Sequence, residues 1–286
     1  MNLAATRIAV VGLGLMGGSL AGALRGRCRT VVGVARRTET LDVAQARGLI
    51  DQGTTDLAGG VQAAHVVVLA TPVRAILRLL DEIGPLLPQD CLLLDVGSTK
   101  TQIVHRMAAL PDHVQPLGGH PMCGKESAGI AAADPALYRG ATFVLTPLPR
   151  TSPEALSLGR SLVEAIGADP LILPPARHDR LVATISHLPY LLACGLAGAA
   201  GEVAATDATL WRVAASGFRD TSRLAASDVR MMLDILMTNR EAVGQALDTF
   251  LDQLQALAAQ VERGDEAALR STLQRIQRAR AEWRAP

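Results

Sequence analysis

The chain has 286 residues, enough for two ordinary domains with buried cores, and 49% of them are hydrophobic, which excludes disorder over most of its length. A formal net charge of +1 and an aromatic content of 2% provide neither a basic face nor stacking platforms, so nucleic acid is not an expected partner. Cys28, Cys91, Cys123 and Cys194 show no CxxC spacing, which argues against a zinc site or a disulfide framework and for a reducing cytoplasm; no metal is expected. No signal peptide, no stretch of the ~18 apolar residues that span a bilayer and hence no membrane association are expected.

In chain order, short β-branched runs at residues 7–11, 30–35, 66–70 and 92–95 read as buried parallel strands. Helical patterns at 17–25, 40–47 and 75–83 separate them, the alternation of a doubly wound sheet with right-handed crossovers. Further strands are expected at 114–117, 142–146 and 170–173, with a helix over 152–165. After Leu173-Pro174-Pro175 no strand pattern appears, and residues 231–261 and 266–283 carry long helical periods. The fold class is therefore α/β: a Rossmann-type, mainly parallel sheet over residues 1–173, then an all-helical domain over 174–286. The length of the 231–261 run suggests packing against a second subunit, a homodimer through the helical domain.

The first strand runs into Gly12-Leu13-Gly14-Leu15-Met16-Gly17. Gly12 permits a tight turn, Gly14 lets backbone approach a pyrophosphate, and Gly17 lets the next helix pack closely. The helix start, with Leu15 and Met16, presents amides to phosphate. A motif of this type between a strand and a helix points to a dinucleotide, with Thr71 at the end of the 66–70 strand as a further candidate contact. NAD binders carry an acid about 20 residues on, at the end of the second strand. Here that place is Ala35, followed by Arg36 and Arg37. A 2′-phosphate would gain about 1.5–3 kcal/mol per charged hydrogen bond, about a ten- to hundredfold preference for NADP over NAD.

Three further segments lie where such a sheet puts its chemistry. Asp95-Val96-Gly97-Ser98-Thr99-Lys100 leaves a strand at Gly97, with Ser98 placed to cap the next helix. Gly118-Gly119-His120-Pro121-Met122 holds a histidine between glycines and a proline, on a loop that can set an imidazole against a substrate hydroxyl. His178-Asp179 through Ser186-His187-Leu188-Pro189 contains a proline that should kink a helix near His187, with His178 and Asp179 as local capping charges. Downstream stands Ser216-Gly217-Phe218-Arg219-Asp220-Thr221-Ser222-Arg223.

Taken together and in order, these motifs resemble the prephenate/arogenate dehydrogenase family of tyrosine biosynthesis. The resemblance implies NAD(P)-dependent oxidative decarboxylation of prephenate to 4-hydroxyphenylpyruvate, or of arogenate to tyrosine. By position it makes His120 the group that takes the 4-hydroxyl proton and Ser98 the residue that orients it. His187 then matches a substrate-binding histidine and Arg223 the partner of a substrate carboxylate. The NADP signal leans towards arogenate by analogy. The sequence departs from the family at Cys123-Gly124-Lys125, where Lys125 either adds a cation near the site or points to solvent, and the role of Glu126 stays open. Because the chain ends in helix, an appended βαββαβ regulatory module is not expected.

Two other readings fit part of the sequence. A β-hydroxyacid dehydrogenase shares the glycine turn and a helical second domain but uses a lysine on an early helix of that domain; here Lys100 and Lys125 are the only lysines. A non-catalytic NADP-binding sensor would be expected to have lost Ser98, His120, His187 and Arg223.

Overall fold

The computed structural model describes residues 2–125 and 127–283; Glu126 lies outside the described residues. It divides into two compact units, Met1–Leu181 with Ala226–Asn239, and Val182–Ala225 with Arg240–Pro286.

The first unit holds, in order, β1 (Arg7–Val11), α1 (Leu15–Leu24), β2 (Thr30–Val34), α2 (Thr38–Ala46), β3 (Gln52–Thr54), α3 (Leu57–Val61), β4 (Val66–Leu69), α4 (Val73–Ile83), β5 (Leu92–Asp95) and α5 (Thr101–Met107). It continues with β6 (Gln115–Pro121), β7 (Thr142–Pro147), α6 (Pro153–Ala165), β8 (Asp169–Ile172) and α7 (Pro175–Val182). The strands form one sheet in the order β3-β2-β1-β4-β5-β6-β7-β8. All neighbours are parallel except β6 and β7. The sheet is the doubly wound, mainly parallel one expected from the alternation of strand and helix patterns. β3, α3 and α5 carry no long apolar period and were not legible.

Both faces of the sheet are covered because consecutive strand residues point to opposite sides. Ile8 and Val10 pack with Leu20 and Leu24 of α1 and Leu158 and Leu162 of α6. Ala9 and Val11 pack with Ile76 and Leu80 of α4 and Ile103 and Met107 of α5. Each large aliphatic side chain so buried contributes about 1.5–3 kcal/mol. This double cover explains why the strands read as unbroken apolar runs rather than alternating ones.

The second unit begins with a π-helical turn, Ala183–His187, followed by α8 (Leu188–Thr206), α9 (Leu210–Val213) and α10 (Ser216–Ser222). Next comes α11 (Val229–Thr238), which belongs to the first unit, before α12 (Arg240–Glu262) and α13 (Glu266–Glu282) complete the second. The single helix expected over 231–261 is therefore two. It breaks at Asn239, whose backbone leaves helical geometry (φ −127°, ψ 30°) and whose Nδ2 donates to Asp179 O at 2.8 Å. Thr238 Oγ1 lies 2.8 Å from Thr99 Oγ1, and the Arg74 guanidinium faces Asp234 at 3.5 Å. These polar ties hold α11 within the first unit, a return across the expected 173/174 boundary that no composition shift marks.

Among the described residues, Pro175–Thr206 is a helical run long and apolar enough, by length and composition, to cross a membrane. This corrects the expectation that no stretch would qualify. The length rests on small residues (the run from Leu191 to Ala205 is mostly Ala and Gly), and α8 packs on α10 and α12 of its own unit.

Candidate active site

The glycine turn sits at the carboxyl end of β1, beside the place where the strand order reverses between β1 and β4, the usual ligand position in such sheets. Gly12 has φ +97°, and a Cβ there would lie 2.8 Å from Ala70 O. A Cβ at Gly17 would lie 1.9 Å from Gly12 O, so only glycine lets α1 close on the turn. At Gly14 a Cβ would meet nothing within 4 Å, which leaves a cradle beside the helix start. Among the described residues, no side chain caps α1. Tyr138, fully buried, donates from its hydroxyl to Met16 O at 2.7 Å and ties the first helical turn down from outside. Thr71 Oγ1 is buried, has no hydrogen-bond partner among the described residues, and belongs to a residue whose methyl group packs over Gly12. An open cradle, uncapped amides and an orphaned hydroxyl fit a dinucleotide pyrophosphate. Arg36 and Arg37 are exposed just beyond β2.

Two strands further along the same edge, β5 ends at Asp95. Asp95 and Lys100 are both fully buried and form an ion pair. Asp95 accepts from Gly97 N (2.7 Å) and Gly119 N (3.0 Å), and Lys100 Nζ donates to Gly119 O at 2.6 Å. Burial pushes the Asp95 carboxyl up and the Lys100 ammonium down, and each charge partly restores the other. The pair thus clamps β6 to β5 beside His120. Ser98, half-buried, lies in the loop after β5. It does not cap α5: that helix starts at Thr101, and Asp179 supplies the cap, Oδ1 accepting from Lys100 N and Oδ2 from Thr101 N, both at 2.8 Å.

His120 lies within β6, opposite Val144 of β7, and not on the expected loop. The glycines before it permit the strand to continue: a Cβ at Gly119 would lie 2.4 Å from Asp95 O and one at Gly118 1.9 Å from Thr146 Oγ1. His120 Nδ1 lies 2.7 Å from His178 Nε2, with the rings edge-on at 73°, and His178 Nδ1 lies 2.8 Å from Asp179 Oδ1. His178 and Asp179 are buried and bond to His120, Lys100 and Thr101, so they are not capping charges local to α7. Burial pushes the Asp179 carboxyl up, but hydrogen bonds from His178 and from the amides of Thr101 and Lys100 outweigh it and hold its pKa below the ordinary carboxylate range. An adjacent His-Asp pair in the first turn after Pro174-Pro175, in register with apolar Val182, was the available signal for this buried relay.

In the second unit, the distortion expected near His187 is the π-helical turn Ala183–His187, with Pro189 in the first turn of α8. Such turns recur at functional sites because they re-aim side chains. His187 is buried at its end, and Arg223 is exposed after α10. Lys125 is exposed, the solvent-facing alternative of the two, and pairs with Asp134 at 2.7 Å.

Two family profiles match in tandem: "Prephenate dehydrogenase, nucleotide-binding domain" over residues 20–171 and "Prephenate dehydrogenase, dimerization domain" over 174–275. The chain is 32% identical over 269 residues to a prephenate dehydrogenase of Bacillus subtilis (strain 168), covering 93% of this chain and 72% of that one. Among solved structures, arogenate dehydrogenase from Synechocystis shares 34% identity with a TM-score of 0.85, over 96% of this chain and 99% of that one. Prephenate dehydrogenase from A. aeolicus, in complex with hydroxyphenyl propionate and NAD+, shares 30% identity with a TM-score of 0.90, over 97% and 98%.

Proposed function

The chain belongs to the prephenate dehydrogenase family, and we propose that it catalyses the oxidative decarboxylation of prephenate to 4-hydroxyphenylpyruvate in tyrosine biosynthesis. The observation that carries this reading is the hydrogen-bonded His120 at the carboxyl edge of the sheet, in the same first unit as a turn that fits a dinucleotide.

The backbone of Gly12–Gly17 and the Thr71 hydroxyl would hold the dinucleotide's pyrophosphate, and Arg36 and Arg37 a 2′-phosphate. When bound, the nicotinamide supplies the two-electron acceptor for the hydrogen leaving the ring carbon that carries the 4-hydroxyl. His120 takes the 4-hydroxyl proton, and Ser98 orients that hydroxyl and the imidazole. The bond to the ring carboxylate then breaks, carbon dioxide leaves, its electron pair completes the aromatic ring, and the ring oxygen recovers the proton held by His120. Prephenate is a dianion, so desolvating it requires a fixed cation; Arg223 is assigned to a substrate carboxylate and His187 to substrate binding. Since aromatisation drives the reaction, alignment and proton removal are the main tasks left to the protein.

NADP is the proposed cofactor, supported by Ala35 standing where an acid would serve NAD and by the two exposed arginines after it. A homodimer through the helical domain is supported by exposed Leu251, Leu254 and Val261 on α12 and Leu273 and Ile276 on α13, and by the dimerization profile matched there. A cytoplasmic location is proposed with it, in keeping with four free cysteines. Product analysis tests the reaction: with prephenate and NADP, 4-hydroxyphenylpyruvate and carbon dioxide should appear with reduced cofactor in equal amounts. Turnover of arogenate alone, giving tyrosine, would assign the protein to the arogenate branch of the family.

A further inference from the structure

We infer, building on the proposed reaction, that His178 and Asp179 are positioning residues that hold His120 in the tautomer whose Nε2 carries the lone pair that receives the substrate proton. An ionised carboxylate can only accept hydrogen bonds, and three N–H groups converge on that of Asp179: Lys100 N and His178 Nδ1 on Oδ1, Thr101 N on Oδ2. Those donors keep the carboxylate ionised despite its burial.

The proton between Asp179 and His178 therefore belongs to His178 Nδ1. A neutral imidazole carries one N–H, so His178 Nε2 is an acceptor. The contact of 2.7 Å from His178 Nε2 to His120 Nδ1 needs one proton, which must come from His120. His120 is then protonated on Nδ1, and its lone pair lies on Nε2, on the opposite side of the ring from His178. When Nε2 accepts the 4-hydroxyl proton, His120 becomes an imidazolium with its charge two hydrogen bonds from the Asp179 carboxylate. Asp179 stays ionised throughout; its work is orientation and charge stabilisation. Among the described residues, Lys100 and Asp95 also lie beside the relay, paired with each other and bonded to the backbone of Gly119.

Asp179 also caps α5, so substitutions at His178 separate the relay from folding. Long-range proton–nitrogen NMR correlation of histidine-labelled protein reads which ring nitrogen is protonated without requiring turnover. In the wild type, His120 should carry its proton on Nδ1. His178→Phe removes the acceptor: His120 should populate the Nε2–H tautomer, and kcat should fall about ten- to hundredfold with KM for prephenate within about threefold. His178→Gln offers a carbonyl oxygen to the same N–H and should recover most of the lost kcat. A wild-type His120 protonated on Nε2 would overturn the inference, as would a folded His178→Phe enzyme with wild-type kcat or no difference between the Phe and Gln variants. If the wild type turned over neither prephenate nor arogenate, the proposed reaction would fail, and the NMR measurement would still decide the tautomer.

Discussion

Lys100 donates from a fully buried ammonium to the carbonyl oxygen of Gly119, 2.6 Å away, and so grips the residue that precedes His120. The same ammonium pairs with Asp95, whose carboxylate accepts the Gly119 amide. Removing one partner of a buried pair leaves the other charge uncompensated, at a cost of about 3–5 kcal/mol. Lys100→Met should therefore lower the urea midpoint by that equivalent. Adding Asp95→Asn, which removes the stranded charge and keeps an acceptor for one of the two amides, should recover part of the loss. An unchanged midpoint in Lys100→Met would show that the clamp is not structural.

Asp179 sets a pH dependence of known sign. Its folded-state pKa lies below the ordinary value of about 3.9, so it contributes stability above that pH and loses it as pH falls through the folded pKa. Asp95, with a raised pKa, acts in the opposite sense, so the comparison must be with a variant and not the wild-type curve alone. Asp179→Asn should cost about 1–3 kcal/mol at neutral pH, and the gap should narrow below about pH 4. A gap that stays constant from neutral pH to pH 3 would contradict the assignment; denaturant unfolding across that range measures it.

Two glycines of the turn should respond differently. Gly17→Ala drives a Cβ to 1.9 Å from a backbone oxygen and should damage folding and cofactor binding together. Gly14→Ala meets nothing within 4 Å of its Cβ, so the protein should keep its melting temperature and lose cofactor affinity, by about tenfold or more if the methyl fills the pyrophosphate cradle. Calorimetric titration with NADP beside thermal melting separates the two. Normal affinity in Gly14→Ala would place the pyrophosphate elsewhere.

Much of this was legible in the sequence because it depends on local signals. β1, β4 and β5 are unbroken apolar runs buried on both faces, and Gly12 and Gly17 mark a turn that no other residue can make. The break at Asn239 was not legible, since it depends on a hydrogen bond to Asp179, 60 residues away in the chain. The same holds for the relay. His120 was found as a titratable group among glycines, but its placement in a strand follows from pairing with β7, and its partner His178 comes from a helix 58 residues on. Ser98 looked like a cap because it precedes a helix by a few residues; the cap came from the distant carboxylate of Asp179.

Steady-state kinetics divide the proposed roles at the reaction centre. His120→Asn should lower kcat by about 10²–10⁴-fold with a modest change in KM, because it removes the base and keeps the shape. Arg223→Ala should mainly raise KM, through loss of a carboxylate partner. The reverse pattern would exchange the two assignments.

The most direct measurement is the catalytic efficiency of the wild-type protein on prephenate and arogenate, each with NADP and with NAD. Turnover of prephenate is expected, with NADP favoured over NAD by about ten- to hundredfold and that preference lost in Arg36→Ala. An enzyme that reduces no cofactor with prephenate, or that favours NAD with Arg36 intact, would contradict that expectation.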